Sequence, residues 1–172
     1  MGKKIKKNNN EENNDKRKKI YTPEQTLNFF NSHYDSSVCW DDESITVDGG
    51  TKGPGKFIAK DISRLTLPRC RELVIRIPQS QLRFFRPKMP ALERLRINES
   101  GIEYINLPKA IFNGLTEINL DGNRIKSAEA IAPLKELASL QKLSLIGNPI
   151  ANNEQEKMKL LDLFPFASII TN

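Results

Sequence analysis

The sequence predicts an α/β solenoid in which about four to five short strands form one curved parallel sheet, with a helical cap at each end. Three observations support this prediction: an apolar frame that recurs, an asparagine at a fixed position of that frame, and helix signals at both ends. The recurring pattern is apolar-x-x-apolar-x-apolar, which we call the frame. Its second apolar position falls at Leu73, Leu95, Ile118 and Leu143, with spacings of 22, 23 and 25 residues. This is the period of a leucine-rich repeat, whose unit is one short strand followed by a returning helix or turn. Because no single unit can bury its own apolar side, the units must stack and share one core.

Three repeats carry the full frame and one carries part of it. They read Cys70-x-x-Leu73-x-Ile75, then Leu92-x-x-Leu95-x-Ile97-x-x-Ser100-x-Ile102, Leu115-x-x-Ile118-x-Leu120-x-x-Asn123-x-Ile125 and Leu140-x-x-Leu143-x-Leu145-x-x-Asn148-x-Ile150. A side-chain amide both donates and accepts hydrogen bonds, so it can pair with the backbone of a neighbouring turn. We therefore expect Asn123 and Asn148 to form a ladder between successive repeats.

The two ends of the chain carry helix signals that predict the caps. Thr22-Pro23-Glu24 has a capping threonine, a proline at the first helical position and an acid in the first turn. The buried side of this helix is predicted to consist of Leu27, Phe29, Phe30 and Tyr34. At the other end, an amphipathic stretch covers Glu154–Phe164, and Ala167 and Ile170 repeat the frame once more. Terminal caps of this kind cover the open ends of a solenoid.

These signals divide the chain into three parts: residues 1–19 as a disordered basic tail, 20–69 as an N-terminal cap, and 70–172 as repeats with a C-terminal cap. Within the cap, Ser44–Asp48 alternates like a short strand. Residues 62–67 resemble the repeat but lie only eight residues before the next frame, so we expect a cap strand or a hairpin there.

The composition excludes several classes of protein. A chain of 172 residues has room for one domain with a real core. It contains no apolar run of about 18 residues, which a membrane-spanning helix needs, and the basic N-terminus lacks the apolar stretch of a secretory signal. Two cysteines, Cys39 and Cys70, are too few for a disulfide framework, so we expect an intracellular, reduced protein without contact to membranes.

The first 19 residues are rich in lysine and asparagine, and two basic clusters flank a polar spacer. This is the form of a bipartite nuclear-import signal, with a solvated low-complexity tail as the alternative. The candidate residues are Lys3, Lys4, Lys6, Lys7, Lys16, Arg17, Lys18 and Lys19. The expected location is the nucleus, with shuttling to the cytoplasm.

Nothing in the sequence forms a catalytic or metal-binding motif. His33 is the single histidine and has no serine or aspartate partner at a motif spacing. The cysteines are isolated, and Cys70 occupies a leucine position of the frame, where a small buried residue fits. The acidic run Asp41-Asp42-Glu43 has the pattern of a solvated loop. We therefore expect a binding module rather than an enzyme, with no cofactor, no metal and no small-molecule ligand.

The distribution of arginines predicts where binding occurs. Residues 60–96 carry ten basic and three acidic side chains, a net charge of +7 within a chain of net charge +6. Arginine holds phosphates through two hydrogen bonds and stacks on bases, so this concentration favours an anionic partner, single-stranded RNA first. The alternatives are an acidic protein segment as the partner, or arginines that only keep the sheet soluble. The candidate residues are Arg64, Arg69, Arg71, Arg76, Arg83, Arg86, Lys88, Arg94 and Arg96. Phe84 and Phe85 lie among them, and core packing is the favoured interpretation for both.

A second candidate surface consists of the strand side chains that lie between the framework positions. In such a repeat they face outward on the concave sheet. Besides the arginines already named, the candidates for binding a protein there are Asn98, Glu117, Asn119, Asp121, Lys142 and Ser144.

Two segments resemble known nuclear proteins. The run GNPIANNEQEKMKLLDLFP at 147–165 is similar to the C-terminal cap of intracellular leucine-rich repeats. That cap occurs in acidic leucine-rich nuclear phosphoproteins, in the spliceosomal A-prime subunit and in TAP-type nuclear mRNA export factors. TPEQTLNFFNSHYD at 22–35, followed by SITVDGG at 44–50, is similar to the start of the export-factor repeat domain.

The resemblance implies an RNA- and adaptor-binding domain of a nuclear mRNA export factor. The alternative is a protein-binding scaffold of the spliceosomal or nuclear-phosphoprotein type, although the sequence lacks the acidic tail of the phosphoproteins. Further domains of the export factors are missing too, so we expect either a piece of a longer protein or a short divergent form. The expected partners are single-stranded RNA and protein adaptors of export or splicing.

Overall fold

A computed structural model describes residues 22–34, 37–47 and 58–172 of the chain. The predicted tail at 1–19 and its import signal lie outside these residues. Four α-helices lie within the described ranges: α1 (Pro23–Tyr34), α2 (Ile58–Ile62), α3 (Lys109–Phe112) and α4 (Glu154–Leu163). The described strands are β1 (Ser44–Val47), β2 (Glu72–Ile75), β3 (Arg94–Arg96), β4 (Glu117–Asn119), β5 (Lys142–Ser144) and β6 (Ser168–Ile170). Three 3₁₀ helices complete the described elements: Gln79–Phe84, Ala128–Glu136 and Pro149–Asn152.

All the strands belong to one parallel sheet in the order β1-β2-β3-β4-β5-β6, which confirms the predicted leucine-rich-repeat solenoid. The frame positions align across it, since Leu73, Leu95, Ile118 and Leu143 are successive Cα partners. Each is fully buried. The sheet has six strands among the described residues, against the four to five predicted, because β1 joins it at one end and β6 at the other.

The predicted asparagine ladder forms between the turns. Asn123 Oδ1 accepts hydrogen bonds from the backbone N–H groups of Ser100 and Ile102, both at 3.0 Å, and its Nδ2 donates to the carbonyl of Ile97 at 2.7 Å. Asn148 repeats this one coil later, where its Oδ1 accepts from Ile125 N–H at 3.1 Å. These bonds satisfy buried backbone groups at the ends of the strands and link each turn to the one before it.

The residue before each ladder position has a left-handed backbone. Gly122 and Gly147 have φ values of +67° and +71°, and glycine adopts these without steric cost. Glu99 stands at the equivalent place in the earlier coil with φ of +48°. A non-glycine residue in this region is uncommon and strained, and Glu99 lies directly beside the outward-facing side chains of the sheet.

The N-terminal cap begins as the sequence predicts. Thr22 Oγ1 accepts from Gln25 N–H at 3.1 Å, and Gln25 Oε1 accepts from Thr22 N–H at 3.0 Å, so the two residues cap α1 reciprocally. Phe30 is buried against Tyr34, with ring centroids 4.7 Å apart. The prediction for Phe29 was wrong, because this residue is 50% exposed.

Residues 62–67 form neither a strand nor a hairpin, which corrects that prediction. Ile62 is the last residue of α2, a turn follows, and Thr66 makes one isolated parallel bridge to Lys88. Leu65 and Leu67 are buried, so their apolar pattern reflects core packing under the cap instead of a sheet pairing. Apolar spacing alone does not distinguish these two cases in so short a run.

Candidate interaction surfaces

The sheet face, defined here as the outward side chains of β1–β6, carries a row of alternating charge. Glu72, Arg94, Glu117 and Lys142 are successive Cα partners across β2 to β5. Lys142 Nζ lies 3.1 Å from Glu117 Oε1, and Arg94 lies 3.8 Å from Glu72 Oε2. Opposite charges directly across neighbouring strands attract each other. Their side chains therefore neutralise one another along the row.

Glu72 is the centre of the first half of this surface. Its Oε1 accepts from Arg96 Nε at 2.9 Å, and its Oε2 accepts from Ser44 Oγ at 3.3 Å. The Glu72 side chain is 19% exposed, whereas those of Arg94 and Arg96 are 37% and 38% exposed. One partly buried carboxylate thus holds two of the arginines that the sequence assigns to an anionic partner.

Three more of those arginines form ion pairs at or near the sheet. Arg71 lies 3.2 Å from Glu93, Arg76 lies 2.8 Å from Glu99, and Arg64 lies 3.1 Å from Asp61. Asp61 is buried and also accepts a 2.9 Å hydrogen bond from Tyr34 Oη. Burial, and next the bond to Asp61, raise the pKa of the Tyr34 phenol above its ordinary value. These contacts lower the net positive charge that the arginines present to a ligand.

The later strands form a more ordered polar surface. Asp121 Oδ1 accepts from Ser144 Oγ at 2.7 Å and from the Ile146 backbone N–H at 2.8 Å. Asn119 Oδ1 accepts from Asp121 N–H at 2.9 Å. Ser144 is buried by these contacts, although its place on the strand predicts an outward side chain. The Ile146 side chain beside it is 40% exposed, so this part of the sheet face combines polar groups with an apolar one.

Asn98 lies between these two halves and carries an unsatisfied polar atom. Its Oδ1 is buried and has no hydrogen-bond donor among the described residues. Buried polar atoms are nearly always paired in folded proteins, so an unpaired one requires a structural or functional explanation. Asn98 belongs to the predicted protein-binding residues and adjoins the strained Glu99.

The return face, defined here as the surface of the segments that connect successive strands, holds two of the predicted arginines in another setting. Arg83 and Arg86 line a cavity of about 600 Å³ together with Gln79, Tyr104, Asn106 and others. The Arg83 guanidinium lies 4.6 Å from the centre of the Phe84 ring. Arg86 Nη1 donates to the Phe85 carbonyl at 2.7 Å. Within the described ranges, neither guanidinium has a carboxylate within 4.0 Å.

The remaining basic candidates are Arg69 and Lys88, and the two adjacent phenylalanines lie in different environments. Arg69 and Lys88 are exposed, and neither forms an ion pair with any residue that the structure describes. Phe85 is fully buried and packs on Phe112 with ring centroids 5.6 Å apart, which confirms core packing for this residue. Phe84 is 49% exposed, so the core interpretation was wrong for it.

The described residues contain no group of three or more His, Cys, Asp or Glu side chains placed to hold a metal ion. Cys39 is exposed and Cys70 is buried. Burial raises the pKa of the Cys70 thiol to about 11, which makes it a poor nucleophile. Among the helices that the structure describes, none has the length and apolar character to cross a membrane.

Sequence reasoning missed two residues on these surfaces. Tyr104 is 60% exposed on the return face, and Trp40 is 63% exposed at the N-terminal cap, where it lines a groove of about 410 Å³ with Leu27 and Leu65. Both lie outside the repeating frame, so periodicity gives no signal for them. The available indication for Tyr104 was a single aromatic residue in the segment 101–106, directly after Glu103.

No family model matches this chain. It is similar to the acidic leucine-rich nuclear phosphoprotein 32 family member A of Drosophila pseudoobscura pseudoobscura, with 33% identity over 84 residues. The protein of the same name from Drosophila melanogaster is 32% identical over 84 residues. Each match covers 46% of this chain and 30% of the relative, so the chain spans about a third of the relatives' length. Together with the sheet, the similarity establishes a relationship to leucine-rich-repeat proteins.

Proposed function

We propose that the chain is a non-catalytic protein-interaction module whose sheet face binds a polar, extended segment of a protein partner. The charge row of Glu72, Arg94, Glu117 and Lys142 is the observation that carries this proposal. A balanced row offers partners for both signs of charge at fixed spacing, which suits a peptide with alternating side chains. Complementary charges of this kind contribute specificity more than raw affinity.

Two features of the sheet face support this assignment. The exposed Ile146 supplies an apolar contact beside the hydrogen-bonded Asp121 and Ser144, and mixed polar and apolar surfaces are typical of transient protein interfaces. Asn98 Oδ1 and the strained Glu99 lie midway along the same surface. Strain and unsatisfied polar atoms concentrate at functional sites.

A nuclear location is part of this proposal, because the names of both relatives describe nuclear phosphoproteins. The basic clusters within residues 1–19 would supply import. A fluorescent reporter fused to residues 1–19 tests this role and is expected to accumulate in the nucleus. A reporter that remains distributed through the cytoplasm contradicts it.

A second candidate is the RNA- and adaptor-binding domain of a nuclear mRNA export factor. It is favoured by the arginines of the return face, which have no carboxylate partner within the described residues. The N-terminal pattern TPEQTLNFFNSHYD gives it further support. In this function the sheet face would hold the adaptor, and RNA would bind elsewhere.

Reversing the charge row tests the sheet-face proposal. We expect Arg94→Glu to abolish the crosslinking of specific nuclear proteins to the chain, and the exchange Arg94→Glu/Glu72→Arg to abolish it as well. The exchange keeps the ion pair but inverts its direction, so the partner's charges are mismatched. Because residue 72 also contacts Arg96, thermal melting checks that the exchanged variant is folded. Crosslinked proteins would be identified by mass spectrometry and their binding measured again with purified partner.

Arg83→Glu is the matched control because it makes the same change of charge on the return face. The proposal predicts that this variant keeps the crosslinked proteins that Arg94→Glu loses. Equal loss from both variants, or crosslinks that disappear after ribonuclease treatment, would contradict a protein-binding sheet face.

A further inference from the structure

We propose that the return face carries a second binding site, a basic groove for single-stranded nucleic acid. Arg83 and Arg86 form one side of it, Tyr104 lies in the middle, and Arg124 and Lys126 lie beyond. The site is separate from the sheet face, so it adds a second ligand class to a protein-binding module. It rests on the second candidate function above, to which it gives a location and contact residues, and does not depend on the sheet-face proposal.

The groove consists of two neighbouring cavities that share one residue. The larger, of about 600 Å³, lies between the 3₁₀ helix Gln79–Phe84 and the segment 104–108. The smaller, of about 250 Å³, lies between Tyr104 and the segment 124–130. Tyr104 lines both. A ligand that follows the groove therefore crosses three consecutive coils of the solenoid.

The charge of the groove is positive and largely unneutralised. Its basic residues are Arg83, Arg86, Arg124 and Lys126, whereas Glu103 is the one acidic side chain among the described lining residues of the two cavities. This gives a net charge of +3 from side chains that mostly project into solvent. A polyanion that neutralises such charges releases bound counterions, which is the main source of affinity for nucleic acid.

The two arginines of the larger cavity are held in place by groups other than carboxylates. Phe84 lies under the Arg83 guanidinium, and the Phe85 carbonyl accepts from Arg86. A cation–π contact and a neutral acceptor orient a guanidinium while leaving its full charge for a ligand. In contrast, Arg94 and Arg96 on the sheet face both use their charge on Glu72.

Tyr104 provides a planar surface on a rigid backbone. Gln79 Oε1 accepts from the N–H groups of Glu103 at 2.8 Å and Tyr104 at 3.2 Å, and Gln79 Nε2 donates to the Tyr104 carbonyl at 2.9 Å. These three bonds fix the segment that carries the ring. With 60% of the residue exposed between two basic clusters, the ring is placed to stack on a base.

This combination favours nucleic acid over an acidic peptide. A purely acidic peptide would pair with the positive charges and has no planar group to stack on the exposed ring between them. Single-stranded nucleic acid uses both, because phosphates pair with guanidinium groups and bases stack on aromatic side chains independently of sequence. Tyr104 is therefore the residue that distinguishes the two ligand classes.

The experiment measures binding of a fluorescent 12-nucleotide oligouridine to the full chain by anisotropy over a series of salt concentrations. The double variant Arg83→Glu/Arg86→Glu is expected to lower the affinity about tenfold or more and to reduce the salt dependence, since two phosphate contacts are lost. Tyr104→Ala is expected to lower it about tenfold through lost stacking, and Tyr104→Phe to leave it nearly unchanged.

The matched control is Lys60→Glu/Lys135→Glu, which makes the same change in net charge at exposed residues that line neither cavity. It should alter the affinity less than about twofold, because only long-range charge is removed. Residues 1–19 are present in every variant, so any binding by the basic tail contributes equally. Thermal melting checks that each variant is folded.

Several results would overturn the proposal. One is equal weakening by the groove variant and its control, which would mean diffuse attraction without a site. Another is full affinity in Tyr104→Ala, or absence of binding by the unaltered chain at low salt. Competition by oligoglutamate as strong as by unlabelled oligouridine would assign the groove to acidic peptides. A deoxyribonucleotide oligomer run in parallel shows whether the 2′-hydroxyl contributes.

Discussion

The sheet face and the return face both carry arginines from the basic segment 60–96, yet the sheet face is balanced in charge and the return face is positive. On the sheet face, Arg94 and Arg96 share Glu72, and Lys142 pairs with Glu117. On the return face, Arg83 lies on a phenylalanine ring and Arg86 on a carbonyl group. A count of basic residues does not distinguish the two. What differs is whether the neighbouring coil supplies a carboxylate.

The strand register explains this difference. Residues 22 to 25 apart in sequence become direct neighbours on the sheet, as Glu72, Arg94 and Glu117 are. Pairing there is imposed by the period of the repeat. The returning segments differ in length and type from coil to coil, including one 3₁₀ helix of six residues and another of nine. Charges on the return face are consequently not aligned with an opposite partner.

The largest expected effect comes from loosening the turns that keep the strands in register. Asn123→Ala should lower the free energy of unfolding by about 3 kcal/mol, because it leaves two N–H groups and two carbonyls of the turn without their partner. Denaturant titration followed by circular dichroism measures this. If register produces the charge row, crosslinking through the sheet face should weaken as well.

Ser100→Ala is the control, since it removes the acceptor for the Ile77 N–H and the donor to the Asn98 carbonyl, and should cost about 1 kcal/mol. Equal and small losses for both variants would show that the ladder contributes little to the register. The difference in charge pairing between the two faces would then need another explanation.

A smaller effect is expected from removing a carboxylate that neutralises arginines on the sheet face, which makes this face more positive, like the return face. Glu72→Gln removes the carboxylate shared by Arg94 and Arg96 and should cost about 1 kcal/mol of stability, as partly exposed ion pairs contribute little. Arg96 is then released, while Arg94 keeps its 3.9 Å contact with Glu93, so the affinity for oligouridine should rise roughly threefold at low salt. Anisotropy measures the affinity, and thermal melting measures the stability.

Glu117→Gln makes the same change in net charge but releases a single lysine. Its effect on oligouridine binding should be smaller than that of Glu72→Gln, because arginine binds phosphate through a planar pair of donors. The same increase from both variants would mean that net charge, and not the pairing of particular arginines, separates the two faces.

Most of the fold could be predicted because it depends on local patterns. The positions Leu73, Leu95, Ile118 and Leu143 identify the period, and a period of this length leaves one way to bury the apolar side. Thr22 and Asn123 are similarly predictable, since each acts through backbone groups close to it or one coil away. Residues 62–67 were misjudged, as a short apolar run fits a strand and a packed turn equally well.

The surfaces were less predictable, because their properties arise between residues that are distant in sequence. The arginines were recognised, but not that Glu72 would neutralise two of them. Tyr104 was missed altogether, since its importance depends on Gln79, 25 residues earlier, and on cavities that exist between coils. Phe84 and Phe85 are adjacent in sequence, yet one is half exposed and the other fully buried.

The sequence by itself determined the repeat, its period, the polar turns and the concentration of positive charge before residue 97. These follow from side-chain chemistry and short-range spacing, which remain visible in a linear chain. Only the tertiary structure decided which of those charges meet a carboxylate across the sheet and which remain unneutralised beside an aromatic ring. Which charges are paired depends on the register of neighbouring coils, because Coulomb attraction depends on distance in space and not on separation along the chain.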